Sequence, residues 1–267
     1  MNNASPEAGA LAGKHVSIIG LGPSMHEYIR VTRSLGGRHK YCDETWVINA
    51  FGDILDHDRV FHMDDVRIQQ IRADAAPESN IAAMLDWLKT HPGPVITSRA
   101  HPDYPGLVEF PFEDVVNVFP KGYFNSTAAY AVAYAVYMGV AKISLWGMDF
   151  TYPDAYDAEK GRACVEYWLG QAVARGIDLA VPKTTSLLDA CHNQAQRFYG
   201  YDTLDLKLER ASAGARIVVT MTERPSEQWP TAAEIEAAYD HSQHPSPLMR
   251  AVSDSDVAER PDLKAVA

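Results

Sequence analysis

The segment between residues 123 and 150 constrains the fold more than any other part of the chain. Near its start it has three polar residues, Asn125, Ser126 and Thr127. An almost wholly apolar run then extends to Met138. Because Ser, Thr and Asn side chains cap helix starts, this pattern predicts a helix that is packed on most sides. Gly139 follows at the position where a left-handed helix end is expected.

A buried strand is predicted directly after this helix. The run from Ile143 to Trp146 is too short for a helix and has no polar alternation, which indicates a central parallel strand. It leads into Gly147, Met148, Asp149 and Phe150. Because ligands bind beyond the carboxyl ends of strands in an open α/β sheet, residues 147–152 are a candidate site. The helix start at residues 125–127 offers N–H groups, hydroxyls and a positive dipole end. These suit a phosphate, although many such caps bind nothing.

A glycine turn lies near the N-terminus. The apolar run at residues 15–19 is followed by Gly20, Leu21, Gly22, Pro23 and Ser24. This order predicts a strand, a tight turn and a helix over residues 25–35 with Ser24 as its cap, and the glycines allow close approach of a ligand. The dinucleotide-binding fingerprint is incomplete, because Met25 replaces its third glycine and the next strand ends on Asn49 instead of an acid. The sequence therefore disfavours an NAD-dependent oxidoreductase.

Apolar runs repeat along the chain between helical and loop segments. They centre on Val16, Val47, Val60, Val95, Leu145 and Leu179. This repeat predicts an α/β fold with a Rossmann-like, mainly parallel sheet and helices on both faces. Further helices are predicted over residues 77–90, 160–175 and 184–198, and a further strand over 112–119.

Composition shifts towards the C-terminus. From Glu223 to Lys264 the chain carries nine acidic and four basic residues. The net charge of this segment is therefore −5, about half of the −11 of the whole chain. Scattered Pro, Ser, Asp and Glu predict a mostly disordered acidic tail over residues 225–267, with room for one short helix. We expect a Rossmann-like domain over residues 14–200, an extension of uncertain structure over 201–224, and this tail.

The negative net charge argues against general nucleic-acid binding, which needs a basic surface. No apolar stretch is long enough to span a bilayer, and the N-terminal residues lack the apolar core of a signal peptide. The three cysteines, Cys42, Cys164 and Cys191, form no Cys-x-x-Cys pair, which fits a reducing compartment. We therefore expect a cytoplasmic protein with a small-molecule partner, while the oligomeric state is not predicted.

Few side chains offer acid–base chemistry near the predicted ligand edge. His62 and His101 follow predicted strands, and Asp149 belongs to the strand end described above, so these three are candidate catalytic bases. A lone His is more often structural than catalytic. Tyr152 or Tyr156, in the polar loop that follows, are candidate phosphate ligands.

Asp64 and Asp65 follow directly on the third predicted strand. Paired carboxylates can hold a divalent metal on a phosphate, so these residues are the candidate Mg²⁺ ligands if the protein uses a pyrophosphoryl donor. The alternative is structural, because acidic residues are also favoured at helix N-termini.

Four motifs together resemble a known family. They are the glycine turn at residues 18–25, the strand that ends on Asn49, the Asn-Ser-Thr helix start at 125–127 and the Leu-Trp-Gly-Met-Asp-Phe sequence at 145–150. The chain resembles the bacterial sialyltransferases of the Campylobacter type, and is similar to the archaeal MptE-like 6-hydroxymethylpterin diphosphokinases and motility accessory factors. The resemblance covers residues 15–190. It implies a Rossmann-like fold that grips a nucleotide donor, either CMP-sugar-like or ATP, with Mg²⁺ in the latter case.

The resemblance also implies a role for each motif. Leu21 and Gly22 are expected against the nucleotide phosphates, and Asn49 against the ribose or phosphate region. Ser126 and Thr127 are expected to hold phosphate, and the Gly-x-Asp-Phe strand end to line the base and sugar.

Two departures from the family pattern affect the predicted chemistry. The sialyltransferases have Asn in place of Leu21, and their catalytic His has no counterpart between Ile143 and Cys191. We therefore predict a nucleotide-dependent transferase, of either the glycosyl-transfer or the pyrophosphoryl-transfer type, acting on an unknown acceptor. The alternative is a non-catalytic nucleotide-binding module whose acidic tail binds a partner.

Overall fold

The structure is a computed structural model that describes residues 8–119, 121–151, 155–191, 198, 200–201, 203–210 and 217–234. The chain divides into two units, Met1–Tyr152 with Lys160–His192 and Pro153–Glu159 with Asn193–Ala267. The first unit contains the parallel sheet and the second contains an antiparallel pair of strands.

Seven strands form the sheet of the first unit. In chain order they are His15–Ile19 (β1), Glu44–Ile48 (β2), Arg59–Phe61 (β3), Val95–Thr97 (β4), Leu107–Glu109 (β5), Lys142–Trp146 (β6) and Asp178–Ala180 (β7). They are hydrogen-bonded in the order β5-β4-β3-β2-β1-β6-β7, and every described pairing in this sheet is parallel.

The α-helices connect and cover these strands. They are Met25–Leu35 (α1), Val66–Ala75 (α2), Asn80–Thr90 (α3), Phe112–Val118 (α4), Thr127–Tyr137 (α5) and Ala155–Ala174 (α6). Short 3₁₀ turns occur at Arg38–Lys40, Asn49–Asp53, Leu187–Asp189 and Ser226–Gln228. Within the described residues, no helix combines the length and the apolar character that crossing a bilayer requires.

Hydrophobic cores lie on both faces of the sheet. Because successive strand residues point to opposite faces, Ile18 and Leu145 pack towards α5, while Ile19 packs towards Tyr28 of α1 and Leu85 of α3. Almost every residue of α5 is buried, and its alanines let the helix approach the sheet closely. The predicted α/β fold with helices on both faces is therefore confirmed.

The strand order places a topological switch point beside β1. The chain runs from β1 outward to β5 on one side of the sheet, and then crosses to β6 on the other side of β1. At such a point the connections after neighbouring strands diverge to opposite faces and leave a crevice at the carboxyl ends. The topology therefore directs attention to the ends of β1 and β6.

One strand prediction was wrong and one strand was missed. Phe112–Val118 is a helix, because Glu113 and Asp114 lie in its first turn, where acidic side chains favour the helix dipole. Its three valines had suggested a strand. Leu107–Glu109, the sheet edge, went unrecognised because it has only three residues and exposes two of them.

The chain after β7 also differs from the prediction. The described part of the expected helix at 184–198 is a 3₁₀ turn at Leu187–Asp189, and residues 192–197 lie outside the described residues. In the second unit, Leu204–Arg210 (β8) and Ile217–Glu223 (β9) form a hairpin that the sequence had left uncertain. The expected disordered tail falls mainly on residues 235–267, which also lie outside the described residues.

The buried Leu145 of β6 should contribute more to the free energy of unfolding than the exposed Leu35 of α1. Leu145 is 1% exposed and Leu35 is 48% exposed. Leu145→Ala should lower the free energy of unfolding by about 3 kcal/mol, whereas Leu35→Ala should cost less than about 1 kcal/mol. Urea unfolding measures both, and equal losses would contradict the assignment of β6 to the core.

Candidate functional site

A cleft of about 500 Å³ lies at the carboxyl ends of β1, β2 and β6. It is lined by residues 20–23, 48–49, 126–128 and 147–151. A volume of this size is typical of small-molecule sites. The structure thus brings together ten residues that the sequence singled out: Gly20, Leu21, Gly22, Asn49, Ser126, Thr127, Gly147, Met148, Asp149 and Phe150.

The floor of the cleft is a close contact between the turns after β1 and β6. The Gly20 N–H donates to Trp146 O and the Gly22 N–H donates to Gly147 O, both at 2.8 Å. A methyl group on Gly20 would lie 2.5 Å from Gly147 O, and one on Gly22 would lie 2.6 Å from Asp149 Oδ2. Gly147 has a φ of +67°, which also favours glycine. These glycines are therefore required by the packing of one turn on the other.

Asp149 links the two turns through hydrogen bonds to Ser24, and we call this contact between the turns the junction. It is 3% exposed, and its Oδ2 accepts from the Ser24 N–H at 2.7 Å while its Oδ1 accepts from the Ser24 hydroxyl at 2.6 Å. The Ser24 Oγ in turn accepts from the Gly147 N–H at 2.7 Å. Ser24 is the N-cap residue of α1, as predicted, but its side chain makes no capping hydrogen bond to the helix. Its hydroxyl is used across the junction instead.

The N-terminus of α1 has no N–H group left for a ligand. Asp149 takes the N–H of Ser24, and the next three N–H groups donate to the carbonyls of Gly22, Pro23 and Ser24. The carboxylate also places a negative charge at the positive end of the helix. A phosphate at this helix start would therefore meet a like charge and no free donor.

The N-terminus of α5 is open to the same cleft. Ser126 is its N-cap, and the Ser126 Oγ accepts from the Ala129 N–H at 3.3 Å. The N–H groups of Thr127 and Ala128 have no hydrogen-bond partner among the described residues, and both residues line the cleft. Free N–H groups at the positive end of a helix are the usual components of an anion site.

Asn49 forms the rim at the end of β2. Its φ of +53° is a left-handed conformation that Asn tolerates better than most residues. Its side-chain Oδ1 lies 3.2 Å from Nδ1 of His62. His62 is 1% exposed, and this burial lowers the pKa of its imidazole, with Asp64 opposing the shift. His62 therefore lies behind Asn49 and does not line the cleft.

The other predicted acid–base and metal residues lie elsewhere. His101 is not among the lining residues, and its Nδ1 accepts from the Asp103 N–H at 3.2 Å. Asp65 caps α2 and pairs with Arg67, whose hydrogen bonds lower the pKa of Asp65 to about 2. Asp64 is exposed, and the described residues contain no group of three or more metal-ligating side chains. The Mg²⁺ site stays a prediction.

The remaining predicted residues do not contribute to the described cleft. Asn125 is exposed and does not line it. Tyr152 lies outside the described residues, whereas Tyr156 is an exposed residue of α6 in the second unit. Sequence reasoning missed Ser24 as a junction residue, because no local pattern shows a hydrogen-bond partner 125 positions away.

Comparisons with known proteins found no matching family model and no matching curated protein. Among solved structures, the chain is similar to the sialyltransferase CstII from Campylobacter jejuni in complex with a substrate analogue, cytidine-5′-monophosphate. The identity is 12% and the TM-score is 0.37, over 84% of this chain and 98% of that one. A mutant α-2,3/8-sialyltransferase CstII has 12% identity and a TM-score of 0.27, over 85% and 100%. The fold class follows from the parallel sheet itself.

Removal of the Ser24 hydroxyl should loosen the junction. Ser24→Ala leaves the buried Asp149 Oδ1 and the Gly147 N–H without these partners, and should lower the free energy of unfolding by about 3 kcal/mol. The control is Ser34→Ala, which loses only an exposed bond to Val31 O and should change stability by less than about 0.5 kcal/mol. Chemical unfolding of both variants tests this, and a neutral Ser24→Ala would refute the role given to the hydroxyl.

Stability should fall on mild acidification. Burial lowers the pKa of His15 and His62 below the ordinary value of 6.5, so the unfolded chain binds protons there at a pH where the folded chain does not. The free energy of unfolding should therefore be highest above about pH 6.5 and fall as the pH drops towards the folded pKa values. Urea midpoints from pH 7.5 to 5 measure the slope, which His62→Leu should reduce. An identical slope in this variant would exclude His62 as a contributor.

Proposed function

We propose that this protein is a nucleotide-dependent transferase whose donor binds in the cleft at the ends of β1, β2 and β6. The observation that carries the proposal is the contrast between two helix N-termini at one switch point. The start of α1 is closed by Asp149, and the start of α5 offers free N–H groups of Thr127 and Ala128 to the cleft. This contrast supports a single phosphate position, in contact with the N-terminus of α5.

The phosphate contacts in this proposal come from the backbone and from hydroxyls. The N–H groups of Thr127 and Ala128 and the hydroxyl of Thr127 face an anion from one side. The Leu21 N–H, which has no partner among the described residues, faces it from the glycine turn. No Lys, Arg or His lines the described cleft, so the binding energy would come from directed donors and the helix dipole.

The nucleoside would then extend along the floor of the cleft. At the turn of residues 20–22, the exposed side chain of Leu21 lines the cleft and offers apolar surface to a base or a ribose. Met148 and Phe150 supply apolar surface, and Asn49 supplies an amide at the rim. Apolar walls with a few placed polar groups are what a nucleoside site requires.

A donor with one phosphate fits this cleft better than a triphosphate. The only charged side chain among the described lining residues is Asp149, which is negative. A triphosphate would bring several negative charges to a site whose positive potential comes from one helix end. We therefore favour a CMP-sugar-like donor and glycosyl transfer over ATP and pyrophosphoryl transfer.

One observation favours a non-catalytic nucleotide-binding module as the second candidate. Neither His62 nor His101 lines the cleft, and both oxygens of Asp149 already accept hydrogen bonds from Ser24. The described lining residues therefore include no unengaged general base. In this alternative the nucleotide binds without turnover, and the acidic C-terminal segment binds a partner.

Binding should depend on the start of α5. Nucleotide at about 100 times its Kd stabilises the folded state by about 2.7 kcal/mol. We expect CMP to raise the melting temperature without Mg²⁺, and Ser126→Ala with Thr127→Ala to abolish this shift. The matched control is Ser79→Ala, because Ser79 caps α3 through the same 3.3 Å bond, to Ala82 N–H, away from the cleft. Each cap should cost about 1 kcal/mol of stability, but only the α5 variant should lose the ligand shift.

The arms of this thermal-shift experiment separate the candidates. A shift with ATP only in the presence of Mg²⁺ would support pyrophosphoryl transfer. Release of CMP from a CMP-sugar in the presence of sugar acceptors would support glycosyl transfer, and binding without release would support the module. No shift with CMP, CTP, ATP or NAD would refute nucleotide binding.

A further inference from the structure

We propose that His62 is a positioning residue that holds the Asn49 amide with its N–H donors towards the cleft. The ligand atom at the end of β2 is then a hydrogen-bond acceptor, such as a phosphate or carbonyl oxygen. This inference rests on the proposed function, since the acceptor belongs to the nucleotide. It assigns His62 a task other than catalysis, because its side chain does not line the cleft.

The hydrogen bond between the two side chains fixes the direction of the amide. His62 Nδ1 lies 3.2 Å from Asn49 Oδ1. An amide oxygen only accepts, so Nδ1 must carry the proton and donate it. The bond engages one lone pair of the Asn49 oxygen and turns that oxygen towards His62, which leaves the NH₂ group, with its two donors, for the cleft. Asn49 is therefore arranged as a donor and not as an acceptor.

The burial of His62 does not by itself stabilise the folded protein. It is 1% exposed, and its Nε2 has no hydrogen-bond partner among the described residues. A buried polar atom without a partner destabilises the folded state, whereas an apolar side chain of similar volume avoids that cost. The gain from a His at this position is the Nδ1–H donor that Asn49 receives.

The backbone conformation of Asn49 does not explain why this position carries an amide side chain. Its φ of +53° is available to Asn, but glycine adopts this region more easily and would suit the start of the 3₁₀ turn Asn49–Asp53 equally well. The side chain therefore has a use of its own. Since Asn49 lines the cleft, the free NH₂ group is in a position to meet a ligand.

The ligand-free protein provides the first test. The two side-chain amide hydrogens of Asn49 can be identified by NMR through their loss in Asn49→Gly. We expect His62→Leu to shift these signals strongly and to preserve or raise the melting temperature. His62→Asn keeps a nitrogen at about the position of Nδ1, and should restore signals close to those of the wild type. Unchanged Asn49 signals in His62→Leu would overturn the positioning role, whether or not any nucleotide binds.

CMP affinity provides the second test. We expect His62→Leu and Asn49→Gly each to weaken binding about tenfold, the effect of one lost oriented hydrogen bond, while His62→Asn retains most of the affinity. Asn49→Asp keeps the acceptor for His62 but turns an anionic oxygen towards the ligand, and should weaken binding further, by about a hundredfold or more. Wild-type affinity in Asn49→Asp would overturn the inferred amide direction.

These two tests separate the inference from the function on which it rests. If the wild-type protein binds no nucleotide, the proposed function fails, and the NMR comparison still decides whether His62 orients Asn49. If CMP binds but the His62 and Asn49 variants lose stability and affinity in parallel, His62 is merely structural. That outcome would overturn this inference and leave the nucleotide site intact.

Discussion

The contact between the turn after β1 and the turn after β6 is the constraint on which the site depends. The two turns approach so closely that Gly20 and Gly22 have no room for a side chain, and Gly147 needs a left-handed backbone as well. Asp149 then bonds to Ser24 across the junction through both carboxylate oxygens. Five residue identities, in two turns that lie about 125 positions apart in the chain, therefore follow from one packing requirement. The floor of the cleft exists only where that requirement is met.

The junction also limits where the phosphate of the proposed ligand can bind. In many α/β folds the helix after the first strand receives a phosphate at its N-terminus. Here the buried carboxylate of Asp149 occupies the equivalent position and is stabilised by the same N–H group and dipole that a phosphate would use. The glycine turn therefore resembles a dinucleotide site in sequence, while the N–H groups of Gly20 and Gly22 donate to β6 and to the turn after it. In the proposed function, the N-terminus of α5, which has N–H groups without a partner among the described residues, is left to bind the phosphate.

The sequence predicted the parts of the fold whose signals are local. The apolar runs of β1, β2 and β6 and the apolar helix α5 were recognised because burial on both sides leaves a continuous hydrophobic pattern. Phe112–Val118 was predicted as a strand because valine favours strands. It is a helix, and its position directly after Pro111 favours a helix start. The candidate lining residues were largely found from two glycine motifs. The bond from Ser24 to Asp149 was not predicted, since it joins residues that only the strand order brings together.

The end of β2 shows how this cleft differs from a nicotinamide site. There an acidic residue accepts hydrogen bonds from the ribose hydroxyls. Asn49 is neutral, and its oxygen is turned towards His62, so in our inference the group that meets a ligand is the NH₂ donor. The polarity of the rim is thus the reverse of the dinucleotide pattern. In the proposed function, donors at Asn49 and at the start of α5 receive acceptor oxygens at two separated points of one ligand, and a nucleoside joined to one phosphate has that arrangement.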